Sequence, residues 1–110
     1  MDTYYCPRDL DRFPEMGATR SDLWDKFQEY YAAVFRDGAL TEREKSLIAL
    51  AVASAVQCPY CIDAYTRASL ENGADLEQMT EAVHVACAIR GGASLAHGIQ
   101  MRNVAAKLGM

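Results

Sequence analysis

Apolar positions recur along most of this chain at helical spacing, and the predicted elements follow from that rhythm and its interruptions. Ser21 followed by Asp22 has the form of an N-cap with acid in the first turn. Leu23, Phe27, Tyr30, Tyr31 and Val34 then keep to one helical pattern until Gly38, so a first helix is expected over residues 22–37. Thr41 and Glu44 make a capping box. Leu47, Ile48, Leu50, Ala51, Val52 and Val56 continue as a second helix, apolar almost all round, which predicts its burial. Pro59 disfavours helical geometry at Cys58 but suits the first position of a new helix, so a third helix is expected from Pro59 to Asn72, ended by Gly73. Asp75 with Gln78 opens a fourth helix, which Leu76, Met79, Val83, Ala86, Cys87 and Ile89 carry to a stop at Gly91-Gly92. A fifth spans Ala93 to Leu108. Residues 1–20, with Pro7, Pro14 and Gly17, have no period and read as an irregular arm anchored by Tyr4, Tyr5 and Phe13.

No alternating run is long enough to argue for a strand, and the expected loops are short. The fold class is all-α, a compact bundle of about five helices with antiparallel neighbours, in a single domain over residues 1–110. With 110 residues, one domain is what the length allows. A monomer of this size buries only about two-thirds of its unfolded surface, so 51% hydrophobic residues with little Gly and Pro imply apolar faces meant for further copies of the chain. The longest apolar run, Leu47 to Val56, is shorter than the ~20 residues of a membrane span, which argues against membrane insertion. The N-terminus has neither a cationic start nor an apolar stretch, so the expected address is the cytoplasm. A net charge of −4 without any Lys/Arg cluster argues against nucleic-acid partners.

The sharpest chemical feature is Cys58-Pro59-Tyr60-Cys61. Four cysteines in a chain with no export signal point away from a structural disulfide framework and toward redox or metal use, and only Cys58 and Cys61 have motif spacing. At a helix N-terminus two such sulfurs lie close enough to bond, and the free N–H groups favour the thiolate, which makes a reversible dithiol/disulfide couple. A zinc site would need two more ligands from Cys6, Cys87, His84 and His97, which include no second Cys-x-x-Cys and no paired-His spacing, so no metal is expected. No dinucleotide or flavin fingerprint is present, and no organic cofactor is expected. His84 lies in mid-helix on one face with Cys87; it reads as a hydrogen-bonded core histidine, or as a proton carrier if the fourth helix packs on the third near the dithiol. His97 reads as a packing or interface residue, Cys6 and Cys87 as bystanders, and Asp63 with Arg67 as a solvated i,i+4 pair.

The run Glu44-Lys45-Ser46-Leu47-Ile48-Ala49-Leu50-Ala51-Val52 through Cys58-Pro59-Tyr60-Cys61-Ile62-Asp63-Ala64-Tyr65 resembles the alkylhydroperoxidase AhpD-like, carboxymuconolactone decarboxylase family. The resemblance extends through Gly73-Ala74 and Glu81-Ala82-Val83-His84-Val85-Ala86 to Gly91-Gly92-Ala93, over roughly residues 20–108. The opening Tyr4-Tyr5 through Asp9-Leu10 and Phe13 is similar to the arsenosugar-biosynthesis-associated peroxidase-like subgroup. The resemblance implies an all-helical subunit assembling as a trimer or hexamer. It also implies a thiol pair that reduces peroxides or another disulfide with electrons from a dithiol donor. Where the family's peroxidase pattern has a glutamate before the first cysteine and a histidine after the second, this chain has Ser46 and Tyr65. A relay rebuilt from His84 as base and Tyr65 as donor is the expectation, resting on their convergence between the third and fourth helices. Helix geometry favours Cys58 as the attacking sulfur, whereas the family pattern implies Cys61. Two other readings stand beside the oxidoreductase: a non-catalytic oligomeric accessory of a biosynthetic pathway, and a lyase acting on a lactone-like acid.

Overall fold

The structure, a computed structural model, describes residues 3–110. Among these residues the chain is entirely helical: a 3-10 segment Pro7–Gly17, here called the arm, then α1 (Ser21–Phe35), α2 (Glu42–Val56), α3 (Pro59–Glu71) and α4 (Leu76–Lys107).

Side-chain caps define the internal boundaries. Thr41 Oγ1 accepts the Glu44 N–H at 3.1 Å while the Glu44 carboxylate accepts the Thr41 N–H at 2.8 Å. At α4, Asp75 and Gln78 do the same at 2.8 and 2.9 Å. Each pair satisfies N–H groups that the first turn of a helix leaves without partners. The α3–α4 turn closes with Gly73 at φ +88°, a conformation that side chains with a Cβ rarely adopt. Asp63 and Arg67 pair at 2.8 Å on the outer face of α3.

The core forms where α3 and α4 both pack against α2. Leu50, Ala74 and Met79 are its buried centre, with Leu47 and Tyr65 packed around it. α1 carries no buried residue; it meets the arm and the start of α2, and Lys45 Nζ donates to the Arg36 carbonyl to close its C-terminal end.

Several sequence expectations need correction. The arm is not irregular: Pro7 at its start and Glu15 accepting the Ala18 N–H give it 3-10 turns. α1 starts at Ser21 with Arg20 in the capping position and no side-chain cap, since a guanidinium has no acceptor to offer the free N–H groups; it pairs with Asp22 at 2.9 Å. α1 ends at Phe35 and α3 at Glu71, short of the expected limits. Gly91-Gly92 does not end a helix. α4 runs through it for 32 residues, so the expected fourth and fifth helices are one element. Glycine lowers helix propensity by about 1 kcal/mol without removing an N–H, and Leu108 supplies the C-cap sixteen positions beyond Gly92.

α2 is not buried all round either: Ile48, Val52 and Val56 are half exposed or more. The isolated subunit is not compact. Its radius of gyration is 18.7 Å, against about 13 Å for a globular domain of this length, and beyond Arg90 most of α4 stands clear of its own chain.

Candidate functional site

The Cys58–Cys61 turn is built by the way α2 ends. Gln57 takes the left-handed conformation (φ 59°, ψ 47°), and the Cys58 N–H turns back to the Ala53 carbonyl at 3.1 Å. Cys58 is extended (φ −98°, ψ 102°), as the residue before a proline should be, and caps α3. Its Sγ accepts the Cys61 N–H at 3.3 Å, and its carbonyl accepts the Ile62 N–H at 2.9 Å. Pro59, which has no N–H, occupies the first helical position, where none is needed.

The two sulfurs are free thiols, half-buried, 2.7 Å apart and hydrogen-bonded to one another. Burial first, then the hydrogen bond to Cys58 and the charge there, push the Cys61 thiol up from 9.0 to about 11. The proton is therefore held on Cys61, while Cys58 Sγ sits at the free N–H end of α3.

Both sulfurs open into a cleft of about 580 Å³ roofed by the arm. Leu10, Phe13 and Met16 form its apolar side, and Asp9, Arg12 and Glu15 its charged rim. Tyr60, between the cysteines, ties floor to roof: its hydroxyl donates to Asp9 Oδ2 at 3.5 Å, and its ring meets Tyr5 edge-on at 5.0 Å. Burial, then the charge of Asp9, raise the Tyr60 hydroxyl. Phe13 holds the other end of the arm, edge-on against Trp24 of α1 at 5.0 Å.

Ser46 and Tyr65 do not join the dithiol. They line a separate cavity of about 270 Å³ with Phe35, Glu42 and Asn72. Ser46, 2% exposed, donates from Oγ to the Glu42 carbonyl at 2.9 Å and accepts from Asn72 Nδ2 at 3.0 Å. Tyr65 stacks on Phe35, with ring centroids 5.4 Å apart. Both side chains are held in packing and hydrogen bonds between helices.

Within the subunit His84 does not reach the dithiol or Tyr65. The expected packing of the fourth helix on the third is replaced by packing of α4 on α2, through Met79 and the half-buried Ala82 and Ala86, and His84 lies two residues past Ala82 on the exposed side. His97 is exposed, with Nδ1 at 3.0 Å from the Ala93 carbonyl. Cys6 and Cys87 are free and exposed. Among the described residues no three His, Cys, Asp or Glu side chains converge as metal ligands.

Three groups escaped the sequence reading. Asp9 lay in a segment without periodicity, and nothing in a linear pattern brings residue 9 to residue 60. Tyr31 read as core spacing; the structure gives it a raised hydroxyl, through burial and then the charge of Cys61. Arg90 was also unforeseen: it donates to the Ala55 carbonyl and so clamps α4 to the end of α2 just ahead of the dithiol turn.

Comparison with known proteins gives this helical subunit its class. The carboxymuconolactone decarboxylase family model matches residues 21–101, and the chain belongs to that family, whose members share the AhpD-like fold. A curated relative, uncharacterized protein 4 in cox locus of Paracoccus denitrificans, is 47% identical over 83 residues, covering 76% of this chain and 75% of the relative. An apo carboxymuconolactone decarboxylase family protein from Legionella pneumophila superposes with a TM-score of 0.70 at 30% identity, covering 84% of each chain. A structural-genomics protein from Methanobacterium thermoautotrophicum superposes with a TM-score of 0.68 at 33% identity, covering 86% of this chain and 98% of the other.

Proposed function

We propose that this protein is a thiol oxidoreductase, peroxidase-like or disulfide-reducing, in which Cys58 and Cys61 cycle between dithiol and disulfide. One observation carries the reading: two free sulfurs 2.7 Å apart, with Cys58 capping α3, open to a cleft large enough for an organic substrate. With a peroxide ROOH, the Cys58 thiolate attacks the terminal oxygen, the O–O bond breaks, and ROH leaves as Cys58 becomes a sulfenic acid. Cys61 loses its proton and attacks Cys58 Sγ; the S–S bond forms and water departs. With a disulfide substrate the intermediate is a mixed disulfide and the departing group a thiol. An external dithiol then reduces Cys58–Cys61, so the cycle balances with the oxidant and that donor as its only co-reactants.

The working form in this reading is a homo-oligomer, a trimer or hexamer. The exposed apolar residues of α4 past Arg90, among them Leu95 at 81% and Ile99 at 56%, support assembly, as does the extended shape of the lone subunit. Among the described residues no helix is long and apolar enough to cross a membrane.

The test is a thiol-redox titration followed by organic hydroperoxide consumption with a regenerating dithiol. A reversible two-electron couple between roughly −180 and −300 mV is expected, with turnover lost in Cys58→Ser and Cys61→Ser. A couple without peroxide turnover leaves the disulfide reductase. If no disulfide forms, the oxidoreductase reading is overturned in favour of an accessory helical oligomer or a lyase.

A further inference from the structure

In this proposed cycle, the step that closes the Cys58–Cys61 bond needs a base, because Cys61 holds its proton so firmly. The two positions at which the family pattern carries its relay, Ser46 and Tyr65, face another cavity, and both histidines are exposed on α4, which contributes nothing to the dithiol cleft. The ionisable groups facing the two sulfurs come from three elements: Asp9, Arg12 and Glu15 of the arm; Tyr60 of α3; and Tyr31 of α1.

Most of these are unsuited to the task. Tyr31 and Tyr60 are raised hydroxyls that keep their protons, and Arg12 is a cation. Glu15 is occupied by Arg12, which donates to its two oxygens from Nε at 2.8 Å and from Nη2 at 3.2 Å. Asp9 is left. Its contact with Arg12 is a single one at 3.6 Å, and its Oδ2 accepts from the Tyr60 hydroxyl, one residue before Cys61.

We infer that Asp9, delivered by the arm, accepts the Cys61 proton, directly or through one water, as Cys61 attacks Cys58. The inference rests on the oxidoreductase reading. The balance is simple: the proton passes from Cys61 Sγ to the Asp9 carboxylate, the Cys61 electron pair forms the S–S bond, and the bond from Cys58 to its substrate fragment breaks with its electron pair going to the fragment; Asp9 then gives the proton to a basic fragment such as hydroxide, or to solvent where the fragment is a stable thiolate. Tyr60 is then a positioning residue that holds Asp9 over the turn. The arm supplies to this site the base that the helical bundle itself lacks there.

The probe is an aromatic disulfide whose released thiolate is coloured, added to the reduced full-length chain carrying Cys6→Ser and Cys87→Ser, which removes the two other free, exposed thiols and serves as the wild type of this test. The first equivalent released reports Cys58 attack and the second reports closure by Cys61. Asp9→Asn is expected to lower the ratio of the second rate to the first by on the order of a hundredfold. It should also convert a neutral-pH plateau in the second rate into a line proportional to hydroxide. Added imidazole should restore the Asn variant without accelerating the wild type, and Asp9→Glu should recover most of the rate. A merely structural role would give none of the hydroxide dependence or the imidazole rescue. If the wild type releases no second equivalent, the oxidoreductase reading itself fails. If it does, and Asp9→Asn keeps the wild-type ratio and pH profile, or loses rate without rescue, the inference about Asp9 is overturned.

Discussion

The unequal state of the two sulfurs yields a quantitative expectation. Raising the Cys61 thiol from 9.0 to about 11 lowers its thiolate fraction near neutrality by about a hundredfold relative to an ordinary cysteine. Since the thiolate is the species that alkylates, Cys61 in the reduced protein should react with iodoacetamide about a hundredfold more slowly than a cysteine in a denatured control. Cys58→Ala removes the hydrogen bond and the charge but leaves burial, the leading cause. In that variant Cys61 should therefore speed up yet stay slower than the control. The assay is timed alkylation across neutral and alkaline pH with mass-spectrometric mapping of both peptides. The linkage has a definite sign. A raised group contributes stability that is complete below its unfolded value near 9 and is lost as pH climbs toward about 11. The reduced wild type should thus lose more stability than Cys61→Ser over that interval. Native Cys61 alkylating faster than Cys58 at pH 7 would refute the reasoning.

Ser46→Ala removes a buried hydroxyl with two partners and should cost about 1–2 kcal/mol in chemical denaturation while leaving the alkylation rates of Cys58 and Cys61 unchanged; changed rates would restore Ser46 to the thiol chemistry. Thr41→Ala should cost about 1 kcal/mol by uncapping α2, read as a lower denaturation midpoint. The Thr41 N–H holds the Glu44 carboxylate below its usual range. That contribution is present above the ordinary carboxylate value and lost as pH falls through the lowered one, so Glu44→Gln should flatten the acid limb of a stability profile. Leu95→Asp places a charge on the bare stretch of α4 and should reduce the sedimenting mass to that of one subunit; an unchanged mass would remove this face from the assembly.

The helical class, the α2–α3 junction and the dithiol turn were legible because each rests on contacts a few residues apart. Thr41 with Glu44, Asp75 with Gln78, and the Cys58-Pro59 pair all act within one turn of helix. Gly91-Gly92 misled because glycine is only a weak helix breaker when no neighbouring group claims the backbone. The placement of His84 could not be read, since past Met79 the face of α4 that meets α2 is continued by the small Ala82 and Ala86 and not by the larger Val83, Val85 and Ile89 around them. Asp9 was out of reach for a different reason: its partner Tyr60 is 51 positions away, and the aromatic contacts that bring the two together leave no periodic trace.

Trp24 is the chain's single tryptophan, and the arm is what rests against it, through Phe13 edge-on and through Gly17, where a Cβ would stand 2.6 Å from the indole. The protein therefore carries a native optical gauge: its indole emission reports the seating of the roof over the two sulfurs, with no dye to attach and no second fluorophore of the same kind to subtract.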